Sequence, residues 1–126
     1  MIEIAAITYT VLAIIVIIFQ FALAVGAPWG KLTMGGVHSG VLPKKLRITA
    51  IVQALLVSGT VLIVLVEANL LLPELKTVSK ISIWFVVLLY MISSILNLIT
   101  SSVWERRIGA PIALSMLICS IIVALS

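Results

Sequence analysis

Apolar residues occur in four long runs along the chain, separated by short polar segments. The runs extend over residues 4–25, 48–72, 81–101 and 110–125. A helix needs about 20 apolar residues to cross the hydrocarbon core of a membrane, and the first three runs reach that length. The fourth run is shorter, so we expect its helix to stand nearly upright or to thin the bilayer locally.

The order of residues within the runs favours helices over membrane-spanning strands. The runs lack the alternation of apolar and polar positions that a barrel strand requires. In lipid every backbone amide must be hydrogen-bonded within the protein, and a helix achieves this inside one segment. The sequence therefore predicts an all-α fold, a transmembrane antiparallel four-helix bundle that forms a single membrane domain over residues 1–126.

Composition supports a membrane location. Hydrophobic residues make up 63% of the chain and charged residues only 10%, whereas a soluble domain carries about 25% charged residues. A secretory signal peptide would have basic residues before its apolar stretch. The chain instead starts Met-Ile-Glu, so we expect the first run to remain as an uncleaved helix.

Basic residues are concentrated in two of the three connections, and these two lie on the same side of a protein with four crossings. The six basic residues on that side are Lys31, Lys44, Lys45, Arg47, Arg106 and Arg107. The opposite connection carries Lys76 and Lys80. By the positive-inside rule, the sequence predicts a cell-membrane protein with a cytoplasmic loop over residues 26–47 and both termini outside. The net charge of +4 then belongs to the membrane surface and does not indicate nucleic-acid binding.

The first connection is longer than a hairpin between adjacent helices requires. It is rich in glycine and proline, and it contains His38 and Trp29, a residue type favoured at headgroup depth. Glycine-rich backbone beside a helix N-terminus presents amides to an anion, and Lys44, Lys45 and Arg47 stand at that position. Two interpretations stay open: a site for a lipid headgroup or another small anion, and a cytoplasmic loop that follows the positive-inside rule.

Polar residues recur on one face of the third predicted helix and at a matching depth on the others. The residues of that face are Tyr90, Ser94, Asn97, Ser101 and Glu105. The residues at matching depth, in the half of the membrane near the basic connections, are Gln20, Gln53, Asn97 and Ser115. Polar residues at such depth normally face the bundle interior. They are predicted either to bond between helices, worth about 0.6 kcal/mol per contact, or to line a small cavity capped by the first connection.

Small residues form stripes on the first two predicted helices. The stripe residues are Ala6, Thr10, Ala13, Gln20 and Ala24 on the first helix, and Ala50, Gln53, Ala54 and Ser58 on the second. Near the basic connections, Glu105 and Arg106 are expected to bond with Arg47 or with the loop backbone. At the opposite side, Glu67 and Asn69 are expected at the membrane interface.

Residue types that catalysis or metal binding requires are scarce. The sequence contains a single cysteine, Cys119, which is expected to be a small packing residue, and a single histidine. These cannot build a disulfide framework or a metal site within one chain, and we find no nucleophile–base set and no nucleotide-binding loop. We therefore predict that the protein is not an enzyme and holds no metal and no cofactor, with an acid–base role for His38 as the one alternative.

Short motifs in the first connection resemble an uncharacterised family of small bacterial four-helix integral membrane proteins. The residues that carry the resemblance are Ala27-Pro28-Trp29-Gly30, Gly35-Gly36, Gly40-Val41-Leu42-Pro43 and Arg47, followed by Asn97, Glu105-Arg106 and Pro111. The resemblance covers nearly the whole chain and implies a bacterial inner-membrane protein. It implies no activity.

Two functional classes follow from these patterns. In the first, the protein binds or passes a lipid or a small polar solute at the polar cluster near the cytoplasmic side. In the second, it is a non-catalytic accessory or assembly subunit that docks its small-residue stripes against a larger membrane partner. A homo-oligomer is expected in the first class.

Overall fold

The computed structural model describes residues 1–33, 36–38, 40–100 and 102–126, and within these ranges the chain is helical with no strand. The long helices are α1 (Ile2–Ala24), α2 (Lys44–Glu67), α3 (Lys76–Ile99) and α4 (Ala110–Ala124). Two single turns of 3-10 helix occupy Gly30–Leu32 and Pro73–Leu75, and a π-helical segment, Glu105–Gly109, leads directly into α4.

The four helices pack around a common axis in sequence order. Each contacts the next along the chain, and α4 closes the ring against α1. All four are long and apolar enough to cross a membrane. The predicted all-α four-helix bundle is therefore confirmed. We call the end that carries the α1–α2 and α3–α4 connections the basic end, and the end that carries the termini and the α2–α3 connection the opposite end.

The fourth span is longer than the sequence predicts. The π-helical segment adds to α4 a stretch that contains Arg106 and Arg107, giving a continuous span of 20 residues, Glu105–Ala124. The α-helix α4 itself is as short as predicted, 15 residues, and the π-helical segment extends the span before it. The apolar run missed this stretch because its charged side chains interrupt the hydrophobic pattern, whereas the backbone continues through them.

Helices α1 and α2 end in the same hydrogen-bonded turn. After α1, Gly26 adopts a φ of 108° and its N–H donates to Leu23 O, while the N–H of Ala27 donates to Ala22 O at 2.9 Å. After α2, Asn69 adopts a φ of 65° in the corresponding position. This arrangement is the Schellman motif, which satisfies the last carbonyls of a helix and favours glycine or asparagine at the left-handed position.

Small side chains allow the helices to approach closely. The interface alanines of the first two predicted stripes, Ala6, Ala13, Ala50 and Ala54, are all 0% exposed. Apolar helices gain nothing from leaving lipid for one another, so close van der Waals packing across such residues is what holds them together. These alanines of the stripes therefore pack inside the bundle.

The core between the helices is dense in the half of the bundle toward the opposite end. Tyr9 is fully buried there, and its hydroxyl donates to Thr60 Oγ1 at 2.7 Å. Tyr90 meets the Tyr9 ring edge-on, with 5.6 Å between ring centroids. Cys119 is a buried free thiol in the same cluster, which confirms it as a packing residue.

A buried carboxylate ties α2 to α3 at the opposite end. Glu67 is only 3% exposed, and its Oε1 accepts a hydrogen bond from Ser79 Oγ at 2.8 Å. Lys76 Nζ lies 3.8 Å from the same oxygen and also donates to the Glu67 carbonyl and to Asn69 Oδ1. The sequence places Glu67 at the interface but does not reveal this network, because its partners lie beyond the turn.

Candidate functional site

The half of the bundle toward the basic end contains a cavity of about 800 Å³ that is partly open to the surface. All four helices contribute to its wall, which is mainly apolar. The large apolar residues of the wall are Ile15, Val16, Phe19, Leu32, Leu56, Val57, Leu89, Ile92, Leu96, Ile99, Ile108, Ile112 and Met116. A cavity of this size is in the range of small-molecule sites, so we treat it as the candidate site.

The two connections of the basic end form the mouth of this cavity. Leu32 and Thr33 belong to the first connection, and Thr100 and Glu105 belong to the second. The floor lies at Tyr90 and Met116, about 15 Å deeper along the helices. Leu32 and Thr33 of the first connection therefore lie at the mouth, as the cavity interpretation of the polar cluster predicts.

Polar groups from three helices converge in the cavity wall. Gln20 of α1, Gln53 of α2 and Asn97 of α3 all line it, as their matching depths predict. Ser115 of α4 does not, because its exposed side chain donates to Pro111 O of its own helix at 2.8 Å. Glu105 lines the wall in its place, from the π-helical segment that precedes α4.

One polar atom of a wall residue, Gln20 Oε1, is buried and has no hydrogen-bond partner among the described residues. The Tyr90 hydroxyl, at the floor, adjoins the hydroxyl groups of Tyr9 and Thr60. Buried polar groups in proteins are normally paired, and an unpaired one costs about 1–3 kcal/mol. The Gln20 amide is therefore the polar group of the wall that the described residues leave unsatisfied.

A glycine in the π-helical segment makes room for Asn97. A Cβ at Gly109 would collide with Asn97 Oδ1 and lie 3.6 Å from Glu105 Cγ. Asn97 Nδ2 donates to Ser93 O at 2.7 Å, which holds the amide in this position. The π-helical segment thus packs directly on the polar face of α3, and π-helical turns of this kind are frequent at functional sites.

The two basic-end connections are joined through a serine. Ser102 Oγ donates to Lys31 O at 2.8 Å and accepts from the Glu105 N–H at 3.2 Å. The Lys31 ammonium lies over the Trp104 ring, 5.6 Å from its centroid. The sequence predicts a tie between these connections through Glu105 and Arg106, whereas the structure makes it through Ser102.

Six of the predicted site residues lie outside the cavity wall. They are Trp29, His38, Lys44, Lys45, Arg47 and Arg106. The side chains of Lys44, Lys45 and Arg106 are exposed. Arg47 is half-buried, and its Nε donates to Ala24 O at 2.9 Å, where it binds the end of α1 to the start of α2. The structure therefore does not bring the basic residues and the polar cluster into one site.

Trp29 and His38 of the first connection pack beside the cavity mouth and do not line the cavity. Trp29 stacks on Phe19, with parallel rings and 6.1 Å between centroids, so it lies behind a residue of the wall. His38 contributes its backbone, since its carbonyl packs against Gly30 closely enough to exclude a Cβ there. Ser101, another predicted site residue, lies outside the described residues.

Three polar residues of the wall lie outside the set of predicted site residues. Ser93 and Thr100 flank the predicted polar face of α3, and Thr33 lies in the first connection. A signal was present for the first two, because they adjoin the face that contains Asn97. Thr33 had none, since the path of an irregular loop does not follow from periodicity. Within the described residues no group of histidine, cysteine and acidic side chains could hold a metal ion.

No protein-family model, curated protein or solved structure matches the chain. The resemblance to a bacterial membrane-protein family therefore stays a prediction. The geometry of the cavity is the basis for proposing a function.

Proposed function

We propose that the protein binds a small amphipathic molecule, a lipid or a solute with apolar and polar parts, in the cavity of its basic end. The observation that carries the proposal is a mainly apolar cavity on whose wall polar residues of three helices, Gln20, Gln53 and Asn97, converge. Interhelical hydrogen bonding alone would have paired these side chains with one another, because pairing is what makes such bonds stabilising. Asn97 instead bonds to Ser93 of its own helix, and Gln20 Oε1 has no partner among the described residues.

The distribution of polar groups sets how a ligand would lie. Gln20, Asn97, Thr100 and Glu105 cluster toward the mouth, while the floor is apolar apart from Tyr90. An apolar chain or ring would occupy the depth of the cavity, and the polar part of the molecule would reach the mouth. With the basic connections in the cytoplasm, as the positive-inside rule predicts, the polar part faces the cytoplasmic side.

Access from the membrane is supported by exposed wall residues. Leu56 of α2 and Leu96 of α3 both line the cavity, yet they remain 42% and 57% exposed. At the opposite end the same two helices are joined by the Ser79–Glu67 hydrogen bond. A molecule dissolved in lipid would therefore reach the cavity between α2 and α3 near the basic end.

The test is native mass spectrometry of the protein extracted gently from its own membrane. We expect a reproducible small-molecule or single-lipid adduct on the wild type. Gln20→Leu, Gln53→Leu and Asn97→Leu together should abolish the adduct, because they replace the polar wall with apolar groups of similar size. Helix content measured by circular dichroism should remain unchanged.

The matched control combines two polar replacements outside the cavity, Thr49→Leu and Ser115→Leu. Both residues are exposed and bond only to backbone carbonyls of their own helices, Lys45 O and Pro111 O. The control should keep the adduct. Bare protein in every sample would overturn the proposal, and a second polypeptide in the same peak would favour the accessory-subunit function instead.

A further inference from the structure

The cavity mouth contains a carboxylate, Glu105, that forms no ion pair within the part of the chain that the structure describes. Glu105 lines the cavity and is half-buried. All eight lysines and arginines and the single histidine belong to the described residues. Among the described residues the only ion pair within 4.0 Å joins Lys76 to Glu67, at the opposite end of the bundle.

The nearest basic side chains are directed elsewhere. Lys31 places its ammonium over the Trp104 ring, and Arg47 donates to the carbonyl of Ala24. Arg106 and Arg107, which follow Glu105 in the π-helical segment, are exposed. The arrangement therefore keeps positive charge around the basic end but out of the cavity, the reverse of what an anion site requires.

Other groups of the wall also suit a cation. Gln20 Oε1 is an acceptor without a partner among the described residues, and one N–H of the Asn97 amide is already donated to Ser93 O. Two aromatic residues, Phe19 and Tyr90, line the same cavity, and aromatic faces attract organic cations. Opposite charges attract more strongly in an apolar cavity than in water, because the effective dielectric constant is lower.

We infer that the ligand of this cavity is an amphipathic organic cation, an amine or quaternary onium group on an apolar body, with Glu105 as the counter-charge. The inference rests on the proposed function and names the chemical class of its ligand. A purely structural role for Glu105 is the competing explanation, because a carboxylate in the first turn of a helix stabilises the helix N-terminus. Only the first explanation makes the affinity for a ligand depend on the charge of that ligand.

The experiment compares two probes of similar shape, the cation tetraphenylphosphonium and the neutral triphenylphosphine oxide. Each is titrated calorimetrically into protein in neutral maltoside micelles, with empty micelles as the blank. We expect the wild type to prefer the cation. Glu105→Gln should weaken cation binding by roughly 10- to 100-fold and leave binding of the neutral probe nearly unchanged.

Two further variants separate charge from helix stability. Glu105→Asp keeps the carboxylate and should keep most of the preference for the cation. Glu3→Gln makes the same chemical change at an exposed residue of the opposite end and should leave both affinities unaltered. A loss of thermal stability in Glu105→Gln without any change in probe preference would support the purely structural role and overturn the inference.

The remaining outcomes distinguish this inference from the proposed function. Equal binding of both probes to the wild type would overturn cation selectivity while leaving an amphipathic binding site. If neither probe binds but the native adduct persists, the cation inference is wrong and the proposed function stands. If neither probe nor adduct is found, both are wrong.

Discussion

Asn97 and Gly109 are in close contact in the candidate site. Asn97 Oδ1 occupies the space that a side chain at residue 109 would need, while its amide nitrogen bonds to Ser93 O. The polar face of α3 and the start of the fourth span therefore meet with no intervening side chain. Any group added at Gly109 must displace the Asn97 amide from this position.

Gly109→Ala is expected to destabilise the protein and to disturb ligand binding. The atom that a Cβ would meet is the end of the Asn97 side chain, which can shift, so we expect the low end of the overpacking cost, about 1 kcal/mol. The Tm measured in micelles should fall slightly, and the native adduct should be reduced. Gly59→Ala is the matched control, because a Cβ there meets nothing within 4 Å. The control should raise the Tm slightly, since alanine is favoured over glycine in a helix by about 0.5–1 kcal/mol. Equal Tm values for the two variants would contradict the close contact at Gly109.

Ser79→Ala should lower stability without affecting the cavity. The substitution removes the hydrogen bond to Glu67 Oε1 and leaves the buried carboxylate with Lys76, 3.8 Å away, as its remaining side-chain partner among the described residues. Loss of a partner to a buried charged group costs about 1–3 kcal/mol. Thermal unfolding should report this loss, with the adduct retained. Thr77→Ala, at an exposed residue of the same helix, should have little effect, and an equal effect of both substitutions would argue against the Glu67 network.

For single residues, the sequence predicts which polar side chains lie at the same depth in the membrane. It does not show which of them line the same cavity. Gln20, Gln53 and Asn97 converge as expected because helical periodicity fixes both their depth and their face. Arg47 is different, since its long side chain reaches back to the end of α1. Ser115 satisfies its hydroxyl on its own helix, a choice that sequence alone does not reveal.

The π-helical segment Glu105–Gly109 is the element that connects the fold to the candidate site. It lengthens the fourth span and directs Glu105 into the cavity wall. A π-helical turn contains more residues than an α-helical turn. It therefore changes the angular position, about the helix axis, of the residues before it relative to the residues after it. Removal of one residue from such a turn restores the regular helix and rotates the preceding side chains by about 100°.

Deletion of Arg107 should therefore turn Glu105 away from the cavity. We expect the deleted protein to remain helical by circular dichroism, because the four apolar spans are unchanged, but to lose its native adduct. Arg107→Ala keeps the turn and removes only an exposed side chain, so its adduct should persist. An adduct retained by the deletion variant would mean that the π-helical geometry is not needed for binding.

The helices themselves could be predicted well from the sequence, and their ends less so. Apolar runs place all four, but α2 begins at Lys44 and α3 at Lys76, before their apolar runs start. Pro43 explains the first difference, since its carbonyl accepts from the N–H groups of Leu46 and Arg47 and starts the helix among charged residues. Hydrophobic patterns detect what lies in lipid, whereas backbone hydrogen bonds decide where a helix begins.

For the whole molecule, the distribution of charge predicts the orientation in the membrane. In a Cys119→Ser background, Glu74→Cys should react with a membrane-impermeant maleimide on intact cells, because the α2–α3 connection that contains it is predicted to lie outside. Lys45→Cys should react only after the cells are permeabilised. Both residues are exposed, so accessibility within the protein does not bias the comparison. The opposite labelling pattern would place the cavity mouth on the outer side.

The bundle has a dense half and a hollow half. Tyr9 and Met116 are fully buried in the dense half, and the cavity occupies the half near the basic connections. Ser93 lies on the cavity wall, whereas Ser120 of α4 is 0% exposed. These two serines allow the existence of the cavity to be tested directly.

The measurement is the reaction of single cysteines with a small water-soluble thiosulfonate, followed by mass spectrometry. The protein is lipid-depleted, held in micelles, and carries Cys119→Ser together with either Ser93→Cys or Ser120→Cys. A thiol at residue 93 should be modified rapidly and protected when the native membrane lipid extract is added back, while a thiol at residue 120 should stay unmodified. Equal inertness of the two thiols would contradict a ligand-accessible cavity at the basic end.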